Sequence, residues 1–107
     1  MRVERWDVRR DGAFNEAALL HKLRTFGCEP TTRAYPAKAI ISPQTDRRPR
    51  IHAVVSGLMK ITINSDDAVI LSAGDLVFVP AEATPRLEIL GPASATCLEA
   101  SLGADAA

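Results

Sequence analysis

The chain has 107 residues, which suffices for one domain with its own core and leaves little room for a second. Thirteen basic and thirteen acidic side chains balance, so no overall charge attracts nucleic acid or an acidic membrane, and 47% apolar content excludes a disordered chain. The apolar stretches are strand-length, and no apolar signal core follows Met1. Cys28 and Cys97 have no spacing typical of a disulfide framework or zinc site. We therefore expect a cytoplasmic protein with reduced cysteines.

The first predicted element is a short helix over residues 15–26, within an N-terminal segment of residues 1–34. Asn15 is a suitable N-cap, and Gly27 can end the helix in a left-handed conformation. Between them an apolar stripe of helical period contains Leu19, Leu20, Leu23 and Phe26. Such an amphipathic helix should pack on a larger body.

That body is predicted to be a β-structure over residues 35–107. Two prolines and the pair Ile40-Ile41 indicate an irregular or edge strand over residues 35–44. Short strands separated by turns follow, over residues 51–56, 58–64, 68–71, 76–80, 86–90 and 96–100. Six or seven strands spaced about ten residues apart favour an antiparallel barrel or sandwich in one domain, and periodicity alone leaves both open.

Two turn-and-strand patterns resemble the conserved motifs of the cupins. Gly74-Asp75, four residues and then Pro80 are similar to the start of the second cupin motif, G-x5-P-x-G-x2-H-x3-N. Residues 54–57, which end at Gly57, are similar to the end of the first motif, G-x5-H-x-H-x3-E-x6-G. The resemblance, to small single-domain cupins, covers residues 35 to 100. It implies an all-β cupin-type barrel, also called a double-stranded β-helix or jelly roll, with one short N-terminal helix.

Counting from these glycines places other residues at the positions where cupins have metal ligands. The two first-motif histidines correspond to Gln44 and Asp46, the glutamate to Arg50, and the last histidine to Pro85. The opening glycine of the first motif corresponds to Lys38. Proline has no ligand atom and a guanidinium repels a dication, so we expect neither a metal nor another cofactor.

Residues 44, 46, 50 and 52 share one parity, so on a regular strand Gln44, Asp46, Arg50 and His52 face the interior together. Three interpretations stay open. Asp46 and Arg50 neutralise each other, Arg50 holds a carboxylate or phosphate of a small ligand, or a metal binds through Gln44, Asp46 and His52.

The functional hypothesis from sequence is a cupin-like protein that binds a small anionic ligand inside the barrel. One alternative is a metal-dependent cupin enzyme, an oxygenase or isomerase with unusual ligands, so enzymatic activity is left open. A second alternative is a dimeric scaffold without a ligand. The basic run over residues 47–50 fits a solvated loop better than a nucleic-acid contact, and no membrane partner is expected. Unpaired edge strands, together with the resemblance, predict a homodimer.

Overall fold

The structure, a computed structural model, describes residues 1–42 and 48–102. Within these ranges the chain forms two helices, α1 over Val8–Asp11 and α2 over Glu16–Arg24. The strands in chain order are β1 Arg2–Glu4, β2 Thr31–Tyr35, β3 Ile40–Ile41, β4 Arg50–Ser56, β5 Leu58–Ile63, β6 Asp67–Leu71, β7 Leu76–Val79, β8 Pro85–Leu90 and β9 Ala95–Ser101. None of the helices in this part of the chain is long and apolar enough to cross a membrane.

The strands form two antiparallel sheets that enclose the main core. Sheet A has the order β1-β7-β4-β9-β2, and sheet B has the order β3-β8-β5-β6. Alternate residues of each strand point between the sheets, as the period of two requires. The buried interior residues are Val54, Met59, Ile61, Ile63, Leu71, Val77, Val79, Ala83, Leu87, Ile89, Ala95 and Cys97. The predicted all-β fold is confirmed.

A second apolar cluster lies outside the barrel, where α2 covers sheet A. Leu19 and Leu23 of α2 are fully buried and belong to one cluster with Ile51 and Ala53 of β4 and Leu98 of β9. The predicted N-cap is confirmed, because the side-chain oxygen of Asn15 accepts a hydrogen bond of 2.7 Å from the Ala18 amide. The helix therefore covers the outer face of one sheet and leaves the barrel interior to the strands.

The N-terminal segment also contributes two strands that the sequence pattern did not predict. β1 pairs with β7, and β2 pairs with β9, so both lie at the edges of sheet A. Four of the five residues of β2 are exposed, so this strand lacks the apolar alternation that would have indicated it. Of the strand expected over residues 35–44, the described part forms only Tyr35, which ends β2, and the two residues of β3.

Four tight turns have left-handed backbone at positions where the cupin motifs carry glycine. Gly57 (φ +89°) and Gly74 (φ +90°) keep the glycine, and a Cβ at Gly57 would lie 2.7 Å from the Ser94 carbonyl oxygen. Lys38 (φ +63°) and Glu82 (φ +64°) adopt a similar φ without being glycine. The backbone thus retains the turns of both motifs even where the side chain differs.

Candidate functional site

β4 is the strand that brings the predicted site residues toward the interior. Arg50, His52 and Val54 alternate with Ile51 and Ala53, which face α2. The pairing of β4 with β9 is regular from Arg50 to Val54 and shifts only after that, so this alternation is preserved. His52 is 4% exposed, whereas Arg50 lies nearer the surface. The predicted site residues Gln44 and Asp46 lie outside the described residues.

A buried carboxylate, Glu99, is the centre of the site. It lies on β9 directly opposite His52 and is 5% exposed. Its Oε2 accepts a hydrogen bond of 2.5 Å from the Tyr35 hydroxyl. The guanidinium groups of Arg33 and Arg50 approach its other oxygen, Oε1, at 3.7 and 3.8 Å. Three strands, β2, β4 and β9, therefore direct a phenol, an imidazole and two cations toward one carboxylate.

His52 has polar atoms that this cluster leaves unsatisfied. Its Nδ1 lies 3.5 Å from Glu99 Oε2, a contact that forms an ion pair only when the imidazole is protonated. Neither Nδ1 nor Nε2 has a hydrogen-bond partner among the described residues, and both are buried. Buried polar atoms are normally paired, because leaving one unpaired costs about 1–3 kcal/mol. The His52 imidazole is therefore expected to form a hydrogen bond with a further group in the interior.

The surroundings of Glu99 keep it ionised. Burial alone would raise its pKa, but the neighbouring imidazole of His52, the hydrogen bond from Tyr35 and the charge of Arg33 outweigh burial and lower the pKa to about 2. Burial raises the pKa of Tyr35, and the hydrogen bond to Glu99 and its negative charge raise it further. The Tyr35 hydroxyl is thus a fixed donor to a carboxylate that is charged at neutral pH.

Cys97, the free cysteine on β9, is not expected to be reactive. Cys97 lies two residues before Glu99, is fully buried and faces the same interior. Burial, together with the negative charge of Glu99, raises the pKa of this thiol to about 12. A thiol that stays protonated is a poor nucleophile, so the chemistry of the site rests on the other groups.

Sequence reasoning missed Glu99, Tyr35 and Arg33 as members of the site. Glu99 shares the parity of Ala95 and Cys97, so one charged residue interrupts the inward-facing apolar positions of a predicted strand. That interruption is a usable signal, since a carboxylate inside a core requires polar partners. Arg33 carried no such signal, because no strand was predicted before residue 35, and Tyr35 was assigned to the irregular strand over residues 35–44 rather than to β2.

Solved structures that are similar to this chain are cupin proteins. A cupin domain from Schizosaccharomyces pombe has a TM-score of 0.65 at 12% identity, and a cupin protein from Bacteroides fragilis has 0.65 at 20%. An RmlC-like cupin family protein with a double-stranded β-helix fold from Methanocaldococcus jannaschii has 0.63 at 11%. The fold is that of the cupins.

The similarity between this chain and the cupin structures is a similarity of fold and not of sequence. The matches cover 70%, 75% and 70% of this chain and 55%, 69% and 69% of the S. pombe, B. fragilis and M. jannaschii chains. The chain thus spans little more than half of the S. pombe chain. No family model matches the chain, and no curated protein matches its sequence. The resemblance read from Gly57 and Gly74 predicted this fold correctly.

The resemblance to cupins implies a metal site, so the described residues can be tested as ligands. His52 and Glu99 are side chains of the right type, yet two positive guanidinium groups lie within 4 Å of the carboxylate. Among the residues that the structure describes, no group of three or more histidine, cysteine, aspartate or glutamate side chains could hold an ion. The described donor set does not fit a divalent metal.

Proposed function

We propose that this cupin-fold protein binds a small anionic molecule, a carboxylate or a phosphate, inside the barrel beside His52. The observation that supports this most is the pair of buried ring nitrogens without hydrogen-bond partners among the described residues. Ligand sites are mostly apolar with a few convergent polar groups, and the interior around His52 has this character. A bound molecule with an oxygen acceptor would satisfy the imidazole.

The charge of the neighbouring groups supports an anion. Arg33 and Arg50 both approach Glu99, so guanidinium groups from two strands lie in this part of the site. Arg33 has 62% of its side chain exposed, so its guanidinium can reach a molecule that enters from solvent. The planar guanidinium fork matches carboxylate and phosphate oxygens, which makes these the ligand chemistries to test.

The test is a thermal-shift screen of small carboxylates and phosphates, followed by calorimetric titration of any compound that raises the melting temperature. We expect a stabilising compound whose affinity falls about tenfold or more in Arg50→Ala and in Arg33→Ala, as the loss of a charge-assisted contact predicts. Arg9→Ala removes a guanidinium from an exposed residue of α1 and serves as the matched control. If no compound binds, or if binding is equal in all four proteins, the proposal is wrong.

A metal-dependent enzyme is the second candidate, because His52 and Glu99 lie side by side and are ligand types. A complete set would need donors from outside the described residues. Elemental analysis of purified protein after incubation with iron, manganese, nickel, copper and zinc tests this directly. One bound equivalent that is lost in His52→Ala and in Glu99→Gln would support the metal candidate over the metal-free site.

A further inference from the structure

His52 has a hydrogen-bonding requirement that a plain anion does not meet. A neutral imidazole carries one N–H, which donates, and one nitrogen with a lone pair, which accepts. Both ring nitrogens of His52 are buried, and neither has a partner among the described residues. An ionised carboxylate or a phosphate dianion supplies only acceptors, so it leaves the nitrogen with the lone pair unpaired. A ligand that satisfies both nitrogens therefore also needs a donor.

The described neighbours of His52 on the inner face of sheet A do not meet this need. His52 lies opposite Glu99 of β9 on one side and opposite Val77 of β7 on the other. Val77 is apolar, and an ionised carboxylate such as Glu99 only accepts. Along β4 the adjacent inward-facing residues are Val54 and Arg50, and the Arg50 guanidinium approaches Glu99 Oε1.

Two further donors that face the same interior are already directed to other acceptors. The Tyr35 hydroxyl donates to Glu99 Oε2. The Cys97 thiol donates to the Met59 sulfur over a distance of 4.0 Å. A donor for His52 is therefore expected to come from a bound molecule.

The position of Glu99 determines which nitrogen of His52 accepts. Nδ1 lies 3.5 Å from Glu99 Oε2, and a ring nitrogen beside a carboxylate normally carries the proton. In the neutral imidazole the lone pair is then on Nε2. A carboxylate oxygen placed at Nε2 would be repelled by this lone pair, so Nε2 selects for a donor.

We propose that the ligand is a small anion with a hydroxyl group near its charged group, such as a hydroxycarboxylate, and that this hydroxyl donates to Nε2 of His52. This inference rests on the anion site proposed above and adds the chemical class of its ligand. Arg33, Arg50 and His52 all lie within 4 Å of the same carboxylate, so one small molecule can reach all three. An ammonium group would also donate, but the two guanidinium groups repel a cation.

Calorimetric titration with matched probes tests the hydroxyl group. L-malate and D-malate differ from succinate only by a hydroxyl, and glycerol 3-phosphate differs from propyl phosphate in the same way. At about pH 8, where histidine is ordinarily neutral, we expect the hydroxylated member of a pair to bind at least about tenfold more tightly. Aspartate, with an ammonium group in place of the malate hydroxyl, is expected to bind no better than succinate.

Variants of His52 connect this preference to the imidazole. His52→Phe keeps a planar ring in the core and removes both nitrogens, so the preference should fall below about twofold while the binding of succinate persists. His52→Gln retains a donor and an acceptor in its amide and should keep part of the preference. His21→Phe, at the exposed histidine of α2, is the matched control and should leave the preference unchanged. Circular dichroism of each variant separates loss of binding from loss of fold.

The protonation of His52 is measured directly from the ¹⁵N chemical shifts of its ring, since the chain has only two histidines. We expect a proton on Nδ1 and a lone pair on Nε2. Protons on both nitrogens, or on Nε2 alone, overturn the inference, because Nε2 then cannot accept. If hydroxylated and plain anions bind equally, or if aspartate binds as tightly as malate, the hydroxyl inference is wrong and the anion site stands. If no carboxylate or phosphate binds, both proposals are wrong.

Discussion

Tyr35 is the only tyrosine of the chain, and its hydroxyl donates to the buried carboxylate of Glu99. Burial, the hydrogen bond and the carboxylate charge all raise its pKa above the ordinary value of 10. We therefore expect the near-ultraviolet absorbance of tyrosinate to stay absent as the pH passes 10, for as long as the protein is folded. A spectrophotometric pH titration measures this without a reference variant, because one residue gives the whole signal.

Glu99→Gln separates the causes of that shift. The variant removes the negative charge and the strong acceptor while it leaves the burial of Tyr35 in place, so the tyrosine should titrate at a lower pH than in the wild type. Glu29→Gln changes an exposed carboxylate on the surface and should leave the titration unchanged. A wild-type midpoint close to 10 would contradict the hydrogen bond between Tyr35 and Glu99.

At the scale of elements, the turns around the motif positions hold residues in a backbone conformation that suits glycine. Lys38 and Glu82 both have φ above +60°, which costs a residue with a Cβ about 1–2 kcal/mol. Lys38→Gly and Glu82→Gly should each stabilise the fold by about 0.5–1 kcal/mol, since relief of strain exceeds the entropy that glycine adds to the unfolded chain. Urea unfolding of each variant measures the gain.

Thr32→Gly is the control for these turn variants. Thr32 is an exposed residue of β2 whose φ is not positive, so glycine there relieves no strain and should destabilise the fold by about 0.5–1 kcal/mol. Opposite signs at the turns and in the strand are expected. Destabilisation at all three positions would show that the side chains of Lys38 and Glu82 contribute more than their backbone strain costs.

The elements also show which parts of the fold a sequence can predict. β5 was predicted well, because Met59, Ile61 and Ile63 are buried and alternate with more exposed residues. β1 was missed because three residues are too few to establish a period, and β2 because most of it is exposed. Tertiary pairing with β7 and β9, rather than local pattern, is what makes these segments strands.

The site was predictable only where it lies on a predicted strand. The parity of β4 correctly indicated that His52 points inward, because alternation within one strand is a local property. Which residues face His52 depends on the pairing of β4 with β9 and of β9 with β2, and register between strands distant in sequence is not encoded locally. That strand pairing places Glu99, Tyr35 and Arg33 beside His52.

At the scale of the whole molecule, Glu99 couples the folding free energy to pH. Its pKa is about 2 in the folded protein, below the value of 4.5 for an ordinary glutamate. A carboxyl with a lowered folded pKa contributes full stability above its unfolded pKa and loses it as the pH falls toward the folded value. Stability should therefore fall as the pH drops from about 4.5 to about 2, by roughly 3 kcal/mol from this residue.

Urea unfolding of wild type and Glu99→Gln at several pH values across this range isolates that contribution. The pKa of Asp11 is lowered chiefly by its hydrogen bond from Arg10, so Asp11 also contributes less stability as the pH falls below 3.8, but this loss is the same in both proteins and cancels in the comparison. Glu99→Gln should be less stable than the wild type at neutral pH, and the two curves should converge near pH 2. Curves that stay parallel would mean that Tyr35, His52 and Arg33 do not stabilise the carboxylate, and the polar cluster on which the proposed anion site rests would then be wrong.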